Sequence, residues 1–483
     1  MLNSSALKTL ASFSVQDFKD FKDFVSSPFF NKNENVVKLF KYLRKFHPDY
    51  KDENLEKENI YRRLFDKGEY NDGFMRTLIF SLNKLLEEYL IYINHSKDKV
   101  KRGINLLNEV NDRKIEKVFM KAFNNTEDIN ESMSVKNPDY FNNKYNLTLI
   151  LEKYNLWNRS EYHSDLEELF KNSYDNLTHY YLGSLLREYR YLLHRNEIKR
   201  TEFRSEFLEH ILDYLSGRDN QYILNPVINV HLNEIYLLKN KSEKYFYILK
   251  KVLKNNADKL SIGDRFSLHN ILQVFCINKV FEGEKKFVHE RMELYKIILG
   301  QKLYSPVSED YFEDTMFANI VNLGLSLKEY TWVENFIEEF SSKLSPANMN
   351  TLINYSRAKL NFEKNNFDEA LKHLNSISNI KHRELKFPVR TLTLMTLYEL
   401  DSMTQVFYNI DSFRHFMTKN KTVLMPERFE RISNFLRSFT KLARLKEKMN
   451  KAEFKKLGEE IRNNTNTLER NWLLKKTGKL SAK

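Results

Sequence analysis

The sequence predicts an all-α protein in which helical hairpins repeat about every 40 residues, forming an α-solenoid that follows an N-terminal helical bundle. The first observation is composition: only 11 glycines and 8 prolines occur among 483 residues, whereas 41% of the residues are hydrophobic and 30% are charged. Such a balance is typical of long amphipathic helices, which need few turn residues. The second observation is that four prolines follow one another at intervals of 40, 42 and 38 residues, namely Pro306, Pro346, Pro388 and Pro426.

Residues 1–97 are predicted to form a compact bundle of four helices. Ser14 can cap the first of them, because its hydroxyl can accept a hydrogen bond from an exposed backbone amide. Phe18, Phe21 and Phe24 recur every three residues and give this helix an aromatic face. The other three helices are expected near residues 33–47, 55–65 and 71–90.

Residues 98–137 are predicted to be a connecting helix followed by a polar loop. A helical pattern of apolar residues runs from Asp98 to about Phe123. The stretch 124–137 is the most polar and the least periodic in the chain, so it is expected to be the loop.

Residues 138–447 are predicted to be the repeat array, and residues 448–483 a basic C-terminal capping helix and tail. A proline at the first position of a helix loses no intrahelical hydrogen bond, and the residue before it can supply the cap, as Asn225 does before Pro226. Paired helices are expected near residues 139–157 and 161–172, 176–195 and 201–216, 225–239 and 242–255, 264–281 and 284–300, and 308–328 and 331–344.

One stretch of the array resembles a known repeat family. The aromatic Phe367 is followed by the small Ala370 and the apolar Leu374, an order similar to the entry of the second helix in a tetratricopeptide repeat. Ala358 stands where that family places the small partner residue of the first helix. The resemblance implies a tetratricopeptide-like (TPR-like) helical-repeat fold for the array.

The N-terminal bundle carries a second resemblance. Its segment Asp20–Asn33 is similar to the opening of a group of uncharacterised bacterial helical-repeat proteins. This resemblance implies no particular activity.

Positive charge is concentrated at the C-terminal end of the chain. The net formal charge is +13, and residues 441–483 contain 13 Lys and Arg against 5 Glu, so this segment contributes +8. A basic segment can bind nucleic acid or an acidic partner. The alternative is that these charges form the solvated face of a capping helix, because four apolar residues keep helical spacing there. They are Leu442, Leu445, Met449 and Ala452.

The sequence contains no motif for catalysis, for a cofactor or for a metal. A GxxxxGK[ST] phosphate loop and a GxGxxG turn are both absent, and the 12 histidines include no HExxH motif and no pair at helical metal-site spacing. Cys276 is the single cysteine, which excludes an intramolecular disulfide and a CxxC site. We therefore expect no enzyme, no cofactor and no metal.

Neither an export signal nor an apolar segment of the roughly 20 residues needed to span a bilayer is evident in the sequence. The expectation is a cytoplasmic protein without a membrane partner.

Arginines near the middle of the chain are candidate nucleic-acid contacts. Arg187, Arg190 and Arg195 stand among tyrosines, and such aromatic rings can stack on bases while arginines contact phosphates. The alternative is a helix whose buried stripe lies opposite a basic face. That stripe would include Tyr180, Leu185 and Leu192.

Two residues of the N-terminal bundle are candidates for the same role. Residues 58–65 and 71–90 have the helix, turn, helix layout of a winged-helix regulator, in which Arg76 and Lys84 would face DNA. Against this, residues 91–101 contain no glycine-marked hairpin that could serve as a wing.

The leading prediction for function is a non-enzymatic protein–protein interaction scaffold or adaptor, because repeat folds present extended surfaces and no site for bond-making chemistry is found. The alternative is a nucleic-acid-binding regulator in which the bundle or the basic tail binds the polymer and the repeats sense a partner. Phosphate contacts weaken steeply with added salt, so salt dependence separates the two.

Overall fold

The structure, a computed structural model, describes residues 4–65, 69–158, 163–199, 205–217, 220–306, 311–377, 380, 385–448 and 451–482. Within these ranges the chain forms 23 α-helices and five short 3₁₀ helices, and the only β pairing is an isolated bridge between Phe312 and Leu344. Helices that follow one another along the chain pack as neighbouring pairs. The predicted all-α class is confirmed.

The chain packs as two compact units, Met1–Leu232 and Asn233–Lys483. The predicted boundaries at residues 97 and 137 lie inside the first unit, and the one at residue 447 lies inside the second. The first unit contains α1 (Ser5–Ala11), α2 (Val15–Ser26), α3 (Glu34–Leu43), α4 (Lys57–Phe65), α5 (Asp72–Lys97), α6 (Lys99–Asp112), α7 (Glu116–Glu131), α8 (Pro138–Asn158), α9 (His163–Lys199), α10 (Glu206–Leu215) and the start of α11 (Pro226–Asn240).

The second unit contains the remaining helices. They are α12 (Glu243–Asn256), α13 (Ile262–Phe281), α14 (Lys286–Gly300), α15 (Asp314–Ser326), α16 (Tyr330–Phe340), α17 (Met349–Glu363), α18 (Phe367–Asn375), α19 (Lys386–Glu399), α20 (Met403–Lys419), α21 (Pro426–Lys448), α22 (Lys451–Asn463) and α23 (Arg470–Ala482).

The four predicted helices of the N-terminal segment are present as α2 to α5. Ser14 caps α2 in a capping box: its hydroxyl accepts from the Asp17 amide at 3.1 Å, and the Asp17 carboxylate accepts from the Ser14 amide at 2.8 Å. Phe18, Phe21 and Phe24 are buried, as their spacing predicted. A further helix, α1, precedes them and was not predicted.

The loop predicted for residues 124–137 is wrong over most of its length, because residues 116–131 form the helix α7. The face that α7 buries is partly polar, and apolar periodicity therefore missed it. Thr126 and Asn130 are both buried. The Thr126 hydroxyl donates a hydrogen bond to the Ala122 carbonyl at 2.7 Å, and the Asn130 side-chain amide donates to the Tyr140 carbonyl at 3.3 Å.

A single helix, α9, replaces the two helices predicted near 161–172 and 176–195. The polar residues that suggested a break bond within the helix instead: the Asn176 side chain donates to the Asn172 carbonyl at 2.8 Å. Ser173 lies buried between them. Such local bonding lets polar residues continue a helix rather than end it.

The prolines begin fewer helices than their spacing predicted. Pro226 and Pro426 are first residues of α11 and α21, and the Asn225 side chain accepts from the amides of residues 227 and 228 at 3.0 and 3.1 Å. Pro306 is not helical, since α15 begins later and is capped by Glu313. The first helices of successive pairs begin at residues 226, 262, 314, 349, 386 and 426, so they do not follow an even 40-residue period.

A different feature does recur at nearly even spacing, namely the turn inside three hairpins. Lys328, Asn365 and Asp401 have φ of +60°, +61° and +59°, and each is the middle residue of a three-residue connection between helices. In each turn the next amide donates to the carbonyl five residues back, at 3.0, 2.8 and 3.0 Å, which is the Schellman arrangement. The fifth residue after each turn position is buried: Val333, Ala370 and Val406.

The segment predicted as a basic capping helix and tail forms two helices, α22 and α23. Phe454, Leu457, Ile461 and Leu473 from these helices are buried in one hydrophobic cluster with residues of α17 to α21. The C-terminal helices are therefore part of the core of the second unit.

Candidate functional site

Helix α17 presents polar side chains on a face that its neighbours leave partly open. The helix packs against α15, α16, α18 and α19. Tyr355, Lys359 and Glu363 are spaced four residues apart and so lie on one face. Tyr355 and Lys359 are half-buried and Glu363 is exposed. The Lys359 ammonium donates to Oδ1 of Asn322 on α15 at 2.6 Å, which fixes its position.

The beginning of α23 lies within electrostatic range of these residues. The negative charge of Glu469, the residue just before α23, acts on Tyr355, Lys359 and Glu363, and the positive charge of Lys475 acts on Glu363. We refer to the side chains of Tyr355, Lys359, Glu363, Asn322 and Glu469 together as the α17 recess.

Protein atoms surround the titratable groups of the α17 recess and shift their pKa values, although the side chains keep some contact with solvent. Burial raises the pKa of Tyr355 and that of Glu363. Desolvation alone would lower the pKa of Lys359, but Tyr355, Glu469 and Glu363 outweigh it, and the pKa is raised. Lys359 therefore stays charged near neutral pH. In its partly desolvated environment, hydrogen bonds and ion pairs are stronger than in water.

The α17 recess suits recognition of a polar segment. It offers an ammonium, a phenol, an amide and two carboxylates, so it can both donate and accept hydrogen bonds. Charges of both signs favour a partner that is itself mixed in charge over a polyanion. Sequence reasoning missed this site, because nothing local indicates that residue 469 returns to α17.

The structure does not bring the three arginines of α9 together as an exposed basic surface. Arg190 is only 2% exposed, and its guanidinium lies over the ring of Tyr191, 4.8 Å from the centroid. Arg187 is half-buried, with Nε 3.6 Å from the Glu188 carboxylate. Arg195 is exposed.

The buried stripe proposed for the same helix is also placed differently. The buried hydrophobic residues of this region are Leu182, Leu186 and Tyr189. Tyr180 and Leu185 are half-buried and Leu192 is exposed, so the stripe lies a few positions away from the predicted one.

Arg76 and Lys84 are both exposed on α5. Each has an acidic neighbour on the same helix: Arg76 Nε lies 2.6 Å from the Asp72 carboxylate, and Lys84 Nζ lies 4.0 Å from that of Glu87. These acids reduce the positive potential that a phosphate would meet.

Over the described ranges of the chain, no group of three or more His, Cys, Asp and Glu side chains is placed to hold a metal ion. Among the same residues, none of the helices combines the length and the apolar character that crossing a membrane requires. Cys276 is buried, and burial raises the pKa of its thiol to about 12, so the thiol is unreactive near neutral pH.

Comparison of the chain with models of known protein families, with characterised proteins and with solved structures finds no significant match.

Proposed function

We propose that the protein is a non-enzymatic interaction scaffold with TPR-like helical repeats, and that its α17 recess binds a polar segment of a protein partner. The α17 recess carries this proposal: its polar side chains are held in place, partly desolvated and still accessible. Lys359 is fixed by Asn322 at 2.6 Å and retains its charge. A preordered polar surface loses little entropy when a partner binds.

The repeated turn supports the TPR-like part of the proposal. Positions 328, 365 and 401 lie 37 and 36 residues apart, close to the roughly 34 residues of a TPR unit. Ala358 and Ala370 are fully buried, and the ring centroids of Phe367 and Phe362 lie 5.4 Å apart. This packing of small and aromatic residues supports the TPR-like part of the proposal.

The test compares partners captured by the full-length protein and by two matched double variants. Tyr355→Ala with Lys359→Ala removes side chains of the α17 recess. Tyr408→Ala with Lys372→Ala makes the same chemical changes at exposed positions of α20 and α18. Tagged proteins are expressed in the native cells, purified with and without nuclease treatment, and their partners are quantified by mass spectrometry.

We expect at least one protein to co-purify with the wild type and with the control variant, to survive nuclease, and to fall at least about tenfold with the recess variant. Thermal unfolding of each variant checks that the fold is retained. Equal recovery by all three proteins would refute the role of the α17 recess. Partners released by nuclease would favour the alternative function, a nucleic-acid-binding regulator.

A further inference from the structure

A small cavity of about 110 Å³ lies in the first unit, where the α6–α7 hairpin meets the C-terminal part of α8. Its lining includes Asn111, Phe119, Tyr154 and Trp157. The volume compares with the roughly 150 Å³ of an engineered apolar cavity that binds benzene. The cavity therefore has room for about one planar ring.

The inner wall of the cavity is aromatic and rigid. The rings of Phe119 and Tyr154 stack with centroids 4.0 Å apart and planes within 4° of parallel. Phe119 is fully buried, whereas Trp157 is more than half exposed and stands at the opening. The wall is thus preformed, and the opening is accessible to another molecule.

Asn111 contributes a polar side chain to the largely aromatic lining of the cavity. The residue is only 6% exposed, and within the described ranges its side-chain amide has no hydrogen-bond partner in the protein. Most buried side-chain amides do have such a partner. An amide that lines a cavity and forms no hydrogen bond within the protein is available to a group that enters the cavity.

The rim of the cavity is fixed and carries both charges and apolar surface. Lys114 has a φ of +55°, and the Ile115 amide donates to the Val110 carbonyl at 3.1 Å, which closes the turn between α6 and α7. Lys114 and Glu116 supply opposite charges at the opening, and Ile115 is exposed beside them. Such a rim suits a polypeptide rather than an isolated small molecule.

We propose that this cavity is an anchor pocket for a tyrosine side chain presented by a partner protein, an inference that rests on the proposed scaffold function. The ring fills the cavity against Phe119 and Tyr154, and the phenol exchanges hydrogen bonds with the Asn111 amide. Buried aromatic anchors with one polar end dominate the energetics of many interfaces. Phenylalanine has the same ring but would leave Asn111 unsatisfied.

The experiment titrates full-length protein with N-acetyl-tyrosinamide and, separately, with N-acetyl-phenylalaninamide. Binding is followed by NMR through the indole N–H signal of Trp157, which a Trp157→Phe variant assigns among the three tryptophans. We expect the tyrosine probe to shift this signal and to bind about tenfold more tightly than the phenylalanine probe, in line with one buried hydrogen bond. Absence of a shift with both probes, or equal affinity for them, would overturn the proposal.

Asn111→Leu tests the polar contact at nearly constant volume, and Asn108→Leu, at an exposed position of the same helix, is the control. We expect Asn111→Leu to abolish the preference for tyrosine without lowering the unfolding temperature, because the substitution removes no hydrogen bond within the protein. A lowered unfolding temperature with an unchanged preference would mean that Asn111 serves the fold.

The outcome is separable from that of the proposed function. The positions changed in the variant Tyr355→Ala with Lys359→Ala lie outside the pocket. This variant should therefore bind both probes as the wild type does. If neither probe binds but the wild-type protein still captures its partner, the anchor-pocket proposal is refuted and the proposed scaffold function is not.

Discussion

The indole Nε1 of Trp472 donates a 2.9 Å hydrogen bond to Oε1 of Glu399, and this bond holds α23 against α19. Lys476 contacts the other oxygen of the same carboxylate, and the Lys476 and Glu399 side chains are only 15% and 13% exposed. We expect Glu399→Ala to lower the free energy of unfolding by about 1–3 kcal/mol, because it leaves a largely buried ammonium and a half-buried indole N–H without their carboxylate partner. Urea denaturation followed by tryptophan fluorescence measures the change.

Glu369→Ala provides the control for Glu399→Ala. Glu369 also pairs with a lysine, Lys372, but both side chains are exposed, so solvent already screens the interaction. We expect no resolvable change in the urea midpoint of this variant. Equal midpoints for both variants would show that α23 is not held by Glu399.

Gly324 allows α15 and α16 to approach each other closely. A Cβ atom at position 324 would lie 2.5 Å from Cγ2 of Val333, and Val333 is fully buried. We expect Gly324→Ala to destabilise the protein by about 1–3 kcal/mol through overpacking. Thermal or urea unfolding gives the value.

The control for Gly324→Ala is Gly300→Ala at the end of α14. A Cβ there would meet nothing within 4 Å, and alanine is the better helix former, so we expect a gain of up to about 1 kcal/mol. Destabilisation of similar size by both substitutions would contradict the close crossing at Gly324.

Features that depend on residues close in sequence could be predicted, whereas those that depend on distant partners could not. The Ser14 cap of α2 was predictable because it needs only an amide three residues away. The aromatic face of α2 was predictable for a similar reason, since helical spacing brings Phe18, Phe21 and Phe24 together. The helices predicted in this way confirmed the all-α class.

The missed helix α7 buries a polar group whose partners lie on the next helix. In α7, Asn130 is buried because Asn143 and the Tyr140 carbonyl on α8 satisfy its amide, and the sequence gives no sign of that pairing. The α17 recess depends in the same way on Glu469. Even proline spacing was misleading, because helix starts also depend on caps such as Glu313.

The recurrent turn offers a direct test through Lys328. This residue has a φ of +60°, a conformation that costs an L-residue other than glycine about 1–2 kcal/mol. We expect Lys328→Gly to raise the free energy of unfolding by about 0.5–1 kcal/mol, after the larger conformational entropy of glycine in the unfolded chain is subtracted. Chemical denaturation measures this difference.

Lys296→Gly is the matched control for Lys328→Gly. Lys296 lies inside α14 and is also exposed, but its backbone is helical, so glycine should cost about 1 kcal/mol there. The two substitutions should therefore change stability in opposite directions. A loss of stability with Lys328→Gly would contradict the left-handed turn.

His269 on α13 is a buried base without hydrogen bonds. It is 3% exposed, and among the residues that the structure describes neither ring nitrogen has a hydrogen-bond partner. Burial, with a smaller contribution from the positive charge of Arg265, lowers the pKa of His269 to about 4 from its ordinary 6.5. The folded state therefore keeps the ring neutral at pH values at which the unfolded chain binds a proton.

The resulting stability is fully present above pH 6.5 and is lost as the pH falls towards 4, by up to about 3 kcal/mol in total. We expect His269→Leu to remove this part of the acid sensitivity, so that its urea midpoint falls less between pH 7 and pH 4.5 than that of the wild type. His210→Leu, at an exposed position, should fall as the wild type does, because its ring is solvated in both states. Parallel pH curves for His269→Leu and the wild type would show that the ring at position 269 binds a proton equally well in the folded and the unfolded state.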